Sequence, residues 1–294
     1  MTSPVTKGFI PAAAAFAIWG VFPLYFTLLH HVPAVQVIAH RVVWSCLFVL
    51  AWIALRGELP AVRATLADTG TVVRLALSAT LISCNWLVYV WAVMHGHVVD
   101  TSLGYFIGPL VNVSLGVVIL AERLTAAQWA AISLAAAGVL YLAAIAGEVP
   151  WIALVLAVSF ATYGLLRKVV KVASLPGLAV ETLVLVPFAA LYLIWCGFAG
   201  EGALGHAGPA VDALLIGSGP LTAVTLFLFA YGTRLLPYAT VGVIQYIAPT
   251  LQFICGVYVL HEPFERARAV GFTIIWIALV IYAAESWRLA RRTR

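Results

Sequence analysis

Charged side chains are scarce in this chain. Asp, Glu, Lys and Arg make up 9% of it, against 64% hydrophobic residues and a mean hydropathy of +1.07. Soluble domains carry about 25% charged and about 45–50% apolar residues. No water-facing surface can be assembled from this composition, so the solvent is lipid. Lysine is rarer still, with only Lys7, Lys168 and Lys171. No GxxxxGK[ST] phosphate loop can be built from them, which excludes ATP hydrolysis by this chain. HExxH and GxSxG are also missing, which argues against a metalloprotease or a serine hydrolase. Cys46, Cys84, Cys196 and Cys255 show no CxxC spacing and fall inside apolar runs. They read as small packing residues, not as metal ligands or a disulfide framework. No metal, cofactor or catalytic set is expected, and the chain reads as a non-enzyme.

What the sequence does have is long apolar runs. A helix needs roughly 20 mostly apolar residues to cross a bilayer. Ten such stretches can be read at 8–28, 34–55, 72–94, 99–121, 127–145, 150–168, 176–198, 210–233, 238–260 and 267–286. Barrel strands would alternate within segments of about 10 residues, so these are helices. They leave no room for a soluble domain. The first run follows Lys7, carries Trp19 and Tyr25, and exceeds the roughly 7–15 residues of a signal-peptide core. It reads as a retained span. With the N-terminus inside, thirteen of the sixteen Lys and Arg fall in internal segments; Arg266 and Arg268 are external, and Arg41 lies within a span. That bias puts both termini in the cytoplasm. The net charge of +5 reflects the same loops and gives no sign of nucleic-acid binding.

Two stretches 140 residues apart repeat each other: YFIGPLVNVSLGVVILAE (Tyr105–Glu122) and QYIAPTLQFICGVYVLHE (Gln245–Glu262). They align without a gap and share Pro109/Pro249, Gly116/Gly256 and Glu122/Glu262. Phe16, Ala17, Trp19 and Gly20 likewise match Phe160, Ala161, Tyr163 and Gly164. Composition alone makes apolar helices resemble one another, but it does not match a proline, a glycine and a terminal glutamate. Five spans per half is an odd number, so the second half enters from the opposite side. The expected fold is an all-α integral membrane protein with ten transmembrane helices, in two inverted five-helix repeats, 1–147 and 148–294. Inverted repeats have two packings of similar energy, one open to each side, and this is the basis of alternating access.

Residues that are costly in lipid outline a pathway. Each ionisable group at the bilayer centre costs about 2.5–3.5 kcal/mol on insertion scales. His40 and Arg41 fall in the second span. Arg41 is either an anchor whose guanidinium snorkels to the outer headgroups or a cation that faces substrate. Glu181, in the seventh span, faces the inner headgroup layer or acts as a protonatable group on the pathway. His95, His97 and Asp100 cluster outside the third and fourth spans, as solvated loop residues or as a proton relay. Pro109 and Pro249 break helices and free the carbonyls of Tyr105 and Gln245 for protein or water. Improved packing is the alternative use of such kinks. Asn85, Asn112 and Gln252 are amides that bridge helices or touch substrate. Aromatic residues at mid-depth, around Asn85 and Tyr105, suit a binding cavity. The lining is expected to include Trp19, Asn85, Tyr89, Tyr105, Asn112, Tyr163, Gln245 and Tyr246, with His40, Arg41 and Glu181 as the titratable or charged members. Gly104 and Gly108 form a small-xxx-small pair suited to close helix approach.

Several strings resemble the RarD-like branch of the EamA transporters, within the drug/metabolite transporter superfamily. They are WGVFPLYFTLLHHVPAVQVIAHRVVWS with its His40-Arg41 pair, NWLVYVWAVMHGHVVDTSLGYFIGPLVNVSLGVVILAERLTAAQW, PWIALVLAVSFATYGLLRK and PYATVGVIQYIAPTLQFICGVYVLHEPF. Together they cover nearly the whole chain. The resemblance implies a permease of the bacterial inner membrane with a central cavity between its halves, exporting a small-molecule solute. That branch more often has asparagine where this chain has Gly108, which bears on selectivity. The expected partners are a small-molecule substrate and the lipid bilayer, with no nucleic acid, and the protein works as a monomer or homodimer. H+ is the expected coupling ion. A membrane-embedded enzyme acting on lipid-linked substrates, and a sensory or scaffold protein without transport, are the competing readings.

Overall fold

A computed structural model describes residues 4–120, 124–147, 149–235 and 244–292. Among them the chain forms helices and no strand. These are α1 (Pro4–Thr27), α2 (Ala34–Leu55), α3 (Leu59–Ala67), α4 (Thr69–Met94), α5 (Val98–Leu120), α6 (Ala126–Ala146), α7 (Trp151–Val169), α8 (Ser174–Phe198), α9 (Pro209–Leu235), α10 (Ile247–Ile254) and α11 (Arg266–Arg292). Seven of them, on the described residues, contain a stretch long and apolar enough to cross a membrane, and α7 and α10 supply shorter apolar helices. Large apolar side chains such as Leu140, Phe188, Leu191, Phe198 and Val280 point outward. In water that surface would be untenable. It fits a multi-pass membrane protein.

Local chemistry sets the helix ends. Asp68 caps α4: its carboxylate accepts from the backbone N–H groups of Gly70 (3.1 Å) and Thr71 (3.3 Å). That cap starts the helix three residues before the 72–94 window. Thr125 and Gln128 form a capping box at α6, where each side chain accepts the other residue's backbone N–H. The window at 238–260 corresponds to a shorter element: α10 runs into a π turn, Cys255–Val259, and His261 leaves it at φ 55°. Residues 236–243 lie outside the described set, as does Glu122.

The extensive helix contacts run between the two halves of the chain, not within them. α1 packs on α9 and α10, while α7 packs on α4 and α5. α2 packs on α8 and α9, and α8 packs on α2 and α4. α5 also meets α10, and α6 meets α11. Exchange each helix for its sequence counterpart (α1/α7, α2/α8, α4/α9, α5/α10, α6/α11) and this set of pairings maps onto itself. Among the α-helices of the described residues, only α3 has no counterpart.

Glycines mark where backbones come closest. A Cβ on Gly104 would lie 2.8 Å from the Ala153 carbonyl oxygen, so the expected close approach is met there by α5 against α7. Gly108, its presumed partner in the motif, has nothing within 4 Å. The same contrast separates the repeat-equivalent pair Gly20 and Gly164. A Cβ on Gly20 would sit 2.6 Å from the Leu251 Cβ, whereas Gly164 faces open space.

Candidate functional site

Arg41 sits in the interior, at the meeting of α1, α2, α4 and α9. It is 3% exposed, so it does not snorkel to the headgroups. Its Nε donates to Thr222 Oγ1 at 2.7 Å, and its guanidinium carbon lies 4.1 Å from the centroid of the Trp86 ring. Phe22 and Phe26 flank it at 5.7 and 5.6 Å. The phenols of Tyr25, Tyr89 and Tyr105 lie within its electrostatic reach. Among the described residues no carboxylate approaches it within ion-pair distance.

Around this cation the expected lining residues split into anchored and unanchored groups. Asn85 is fully buried and spends its amide on neighbouring helices. It donates to the Leu156 carbonyl (3.0 Å) and Ser159 Oγ (2.9 Å), and accepts from the Tyr105 hydroxyl (3.2 Å). It therefore ties α4, α5 and α7 together and orients Tyr105. Trp19 donates its indole N–H to Thr225 Oγ1 at 3.1 Å. Its carbonyl, freed because Pro23 four residues later has no N–H, accepts from Gln252 Nε2 at 3.2 Å. Tyr89 is the exception: it is 4% exposed, packs edge-on against Phe26 and Tyr105, and its hydroxyl has no partner.

Other expected members lie elsewhere. His40, one residue before Arg41, is buried within electrostatic reach of Asp212 at the start of α9. Tyr163 belongs with Glu181 and Arg167. Glu181 is also buried rather than turned to headgroups: Ser78 Oγ donates to it at 2.7 Å and Arg167 lies 3.5 Å away. Gly177 leaves room for that guanidinium, since a Cβ there would sit 2.3 Å from Arg167 Nη1. Gln245 is half-buried, and the Ala248 N–H (3.3 Å) takes up the carbonyl that Pro249 frees. Tyr246 lines a separate apolar recess of about 410 Å³ with Phe106, Phe253 and Trp276. The side chains of Asn112 and Pro109 lie outside the described residues.

Two polar contacts not expected from sequence complete the picture. Arg41 and Glu181 stand at the same position, seven residues into α2 and α8. Their hydroxyl partners, Thr222 on α9 and Ser78 on α4, lie on counterpart helices. At the far end of α10, the Glu262 carboxylate accepts from the backbone N–H groups of Val98 (2.6 Å) and Val99 (2.8 Å), clamping the start of α5. Burial pushes the Glu262 carboxyl above its usual range against the pull of these two bonds. Beside it, Asp100 lies 3.2 Å from His97 and 3.6 Å from Arg268.

Comparison with known proteins agrees with this architecture. The EamA-like transporter family matches residues 6–144. An uncharacterized transporter of Pseudomonas aeruginosa is 42% identical over 294 residues, covering 99% of this chain and 98% of that protein. Protein RarD of Streptomyces exfoliatus is 43% identical over 288 residues, covering 98% and 91%. One crystal structure superposes with a TM-score of 0.63 at 20% identity, covering 97% of this chain and 99% of the other, a likeness of fold alone. This chain belongs to the EamA-like transporter family, as a RarD-like permease.

Proposed function

We propose that the protein is a secondary transporter of the bacterial inner membrane, moving a small polar or amphipathic solute outward by alternating access. On this reading ten spans form two five-helix repeats of opposite orientation, 1–147 and 148–294, with both termini in the cytoplasm. The solute sits between α1, α4 and α5 and their counterparts α7, α9 and α10. The observation that carries the reading is the unequal packing of two equivalent glycines. Gly20 is jammed against Leu251 while Gly164 has nothing within 4 Å. With the N-terminus inside, the tight crossings of Gly20 with Leu251 and of Gly104 with Ala153 lie in the outer half, where Glu262 also clamps α5, while at the inner ends of α1 and α9 Gly232 packs closely on Ala12. The loose position Gly164 lies toward the cytoplasm, and Gly108 lies near the middle of α5. Swapping the two arrangements would open the outside and close the inside.

H+ is the coupling ion on this reading, with Glu181 as its carrier. The carboxyl is buried and held by Arg167 and Ser78, so gaining or losing a proton changes how α4, α7 and α8 are tied together. Purified protein screened for thermal stabilisation by metabolites and antibiotics would give ligands for counterflow in proteoliposomes. The expected result is that labelled ligand accumulates in vesicles preloaded with unlabelled ligand, and that Glu181→Gln retains counterflow but loses proton-driven accumulation. Binding without counterflow would mark a sensor or scaffold. Product formed by detergent-solubilised protein would mark an enzyme.

A further inference from the structure

We propose that the solute carries a carboxylate on a flat apolar body, and that Arg41 receives it. This deepens the transport reading and rests on it for the word solute. A buried guanidinium stays charged and presents five N–H donors. Here Nε is bound to Thr222, and no other protein hydrogen bond from this side chain exists among the described residues. The residue is 3% exposed, and among the described residues no carboxylate lies within ion-pair distance. An uncompensated charge in such a place is strongly unfavourable. The equivalent position in the other half shows what compensation looks like: Glu181 has Arg167 at 3.5 Å and Ser78 at 2.7 Å. At Arg41 the hydroxyl partner is present and, among the described residues, the countercharge is not.

The surroundings say what kind of anion would fit. Trp86 stacks beside the guanidinium at 4.1 Å, and Phe22 and Phe26 wall it in. Stacking satisfies the face of the group and leaves its edge, a fork that matches the two oxygens of a carboxylate. The aromatic walls then suit an apolar body. Tyr89, which packs on Phe26, offers an unpartnered hydroxyl in the same neighbourhood. A free inorganic anion would gain the charge contact but leave the walls empty.

The test uses purified full-length protein in detergent and follows Tm with benzoate and phenylacetate, benzamide and phenylacetamide, inorganic phosphate, and chloride at matched ionic strength. The carboxylates should raise Tm by several degrees, while the amides and inorganic anions should not. Arg41→Met removes the uncompensated charge, so the ligand-free variant should melt about 2–4 °C higher and lose its response to carboxylates. Arg41→Lys keeps the charge without the fork and should weaken carboxylate binding roughly tenfold. A lower ligand-free Tm in Arg41→Met with the carboxylate response intact would make Arg41 a structural anchor and overturn the proposal. So would equal stabilisation by the amides or by phosphate and chloride. Carboxylate binding without counterflow would sink the transport reading alone, and counterflow without carboxylate selectivity would sink this one alone.

Discussion

Asn85 shows how a polar side chain in lipid can be structural and still shape a site. Its amide makes three bonds to two other helices, and the Tyr105 hydroxyl depends on it for an acceptor. Asn85→Leu should therefore strand a buried hydroxyl and cost about 1–3 kcal/mol. Adding Tyr105→Phe removes the stranded group, so the double variant should recover part of that loss in a thermal or detergent unfolding cycle. Asp68 makes a second case, at the membrane edge. Its hydrogen bonds to Thr71 hold the carboxyl below its ordinary value of 3.8. The cap is then at full strength above that value and is lost only as pH falls through the lower folded pKa. Asp68→Ala should lower Tm by the same amount at pH 5, 6.5 and 8. A difference that shrinks between pH 8 and pH 5 would contradict the cap. Arg41, Glu181 and Tyr89 stand out in the sequence because charge and phenol are expensive in lipid. Thr222 and Ser78 do not, since a span hydroxyl can satisfy itself on its own helix, as Thr222 does on the Ser218 carbonyl at 2.8 Å.

The helices were largely legible because runs of 20 apolar residues leave few alternatives. The window 34–55 coincides with α2 end to end. What escaped was short or irregular. α3 is nine residues long, too short to register as a span, and buries only Val62 and Thr65. The π turn after α10 has no signature in the hydropathy pattern, yet it aims the chain so that Glu262 meets the start of α5. That contact is expected to act as an outer latch. Glu262→Gln keeps one acceptor but sets an amide N–H against a backbone N–H. Cys255, 5% exposed with its Sγ 3.8 Å from the Gly20 carbonyl oxygen, lies behind the latch. In a Cys84→Ser background, an impermeant maleimide applied from outside should label Cys255 several-fold faster in Glu262→Gln than in the parent. Equal rates would show that the latch does not hold the outer crossing shut.

The two halves of the molecule pair with each other through an exchangeable set of contacts, and the sequence repeat carries that symmetry. On the proposed carrier mechanism, a repeat cannot carry which half is packed tightly at a given moment, because both packings would use the same residues. At the repeat-equivalent positions Gly20 and Gly164 the structure has one tight and one loose crossing. Gly20→Leu should therefore forbid the present arrangement, and Gly164→Leu should forbid the opposite one.

Paired spin-label distances in reconstituted, cysteine-free protein test this most directly. On the proposed orientation one pair, Leu28 with Tyr258, reports on the outer side, just past α1 and in the π turn after α10; the other, Ala126 with Lys171, reports on the inner side, at the start of α6 and just past α7. Gly20→Leu should lengthen the outer distance and shorten the inner one, and Gly164→Leu should do the reverse, with the parent distributed between the two. Distances that do not respond to either substitution, or that lengthen on both sides together, would contradict a carrier that opens one face at a time.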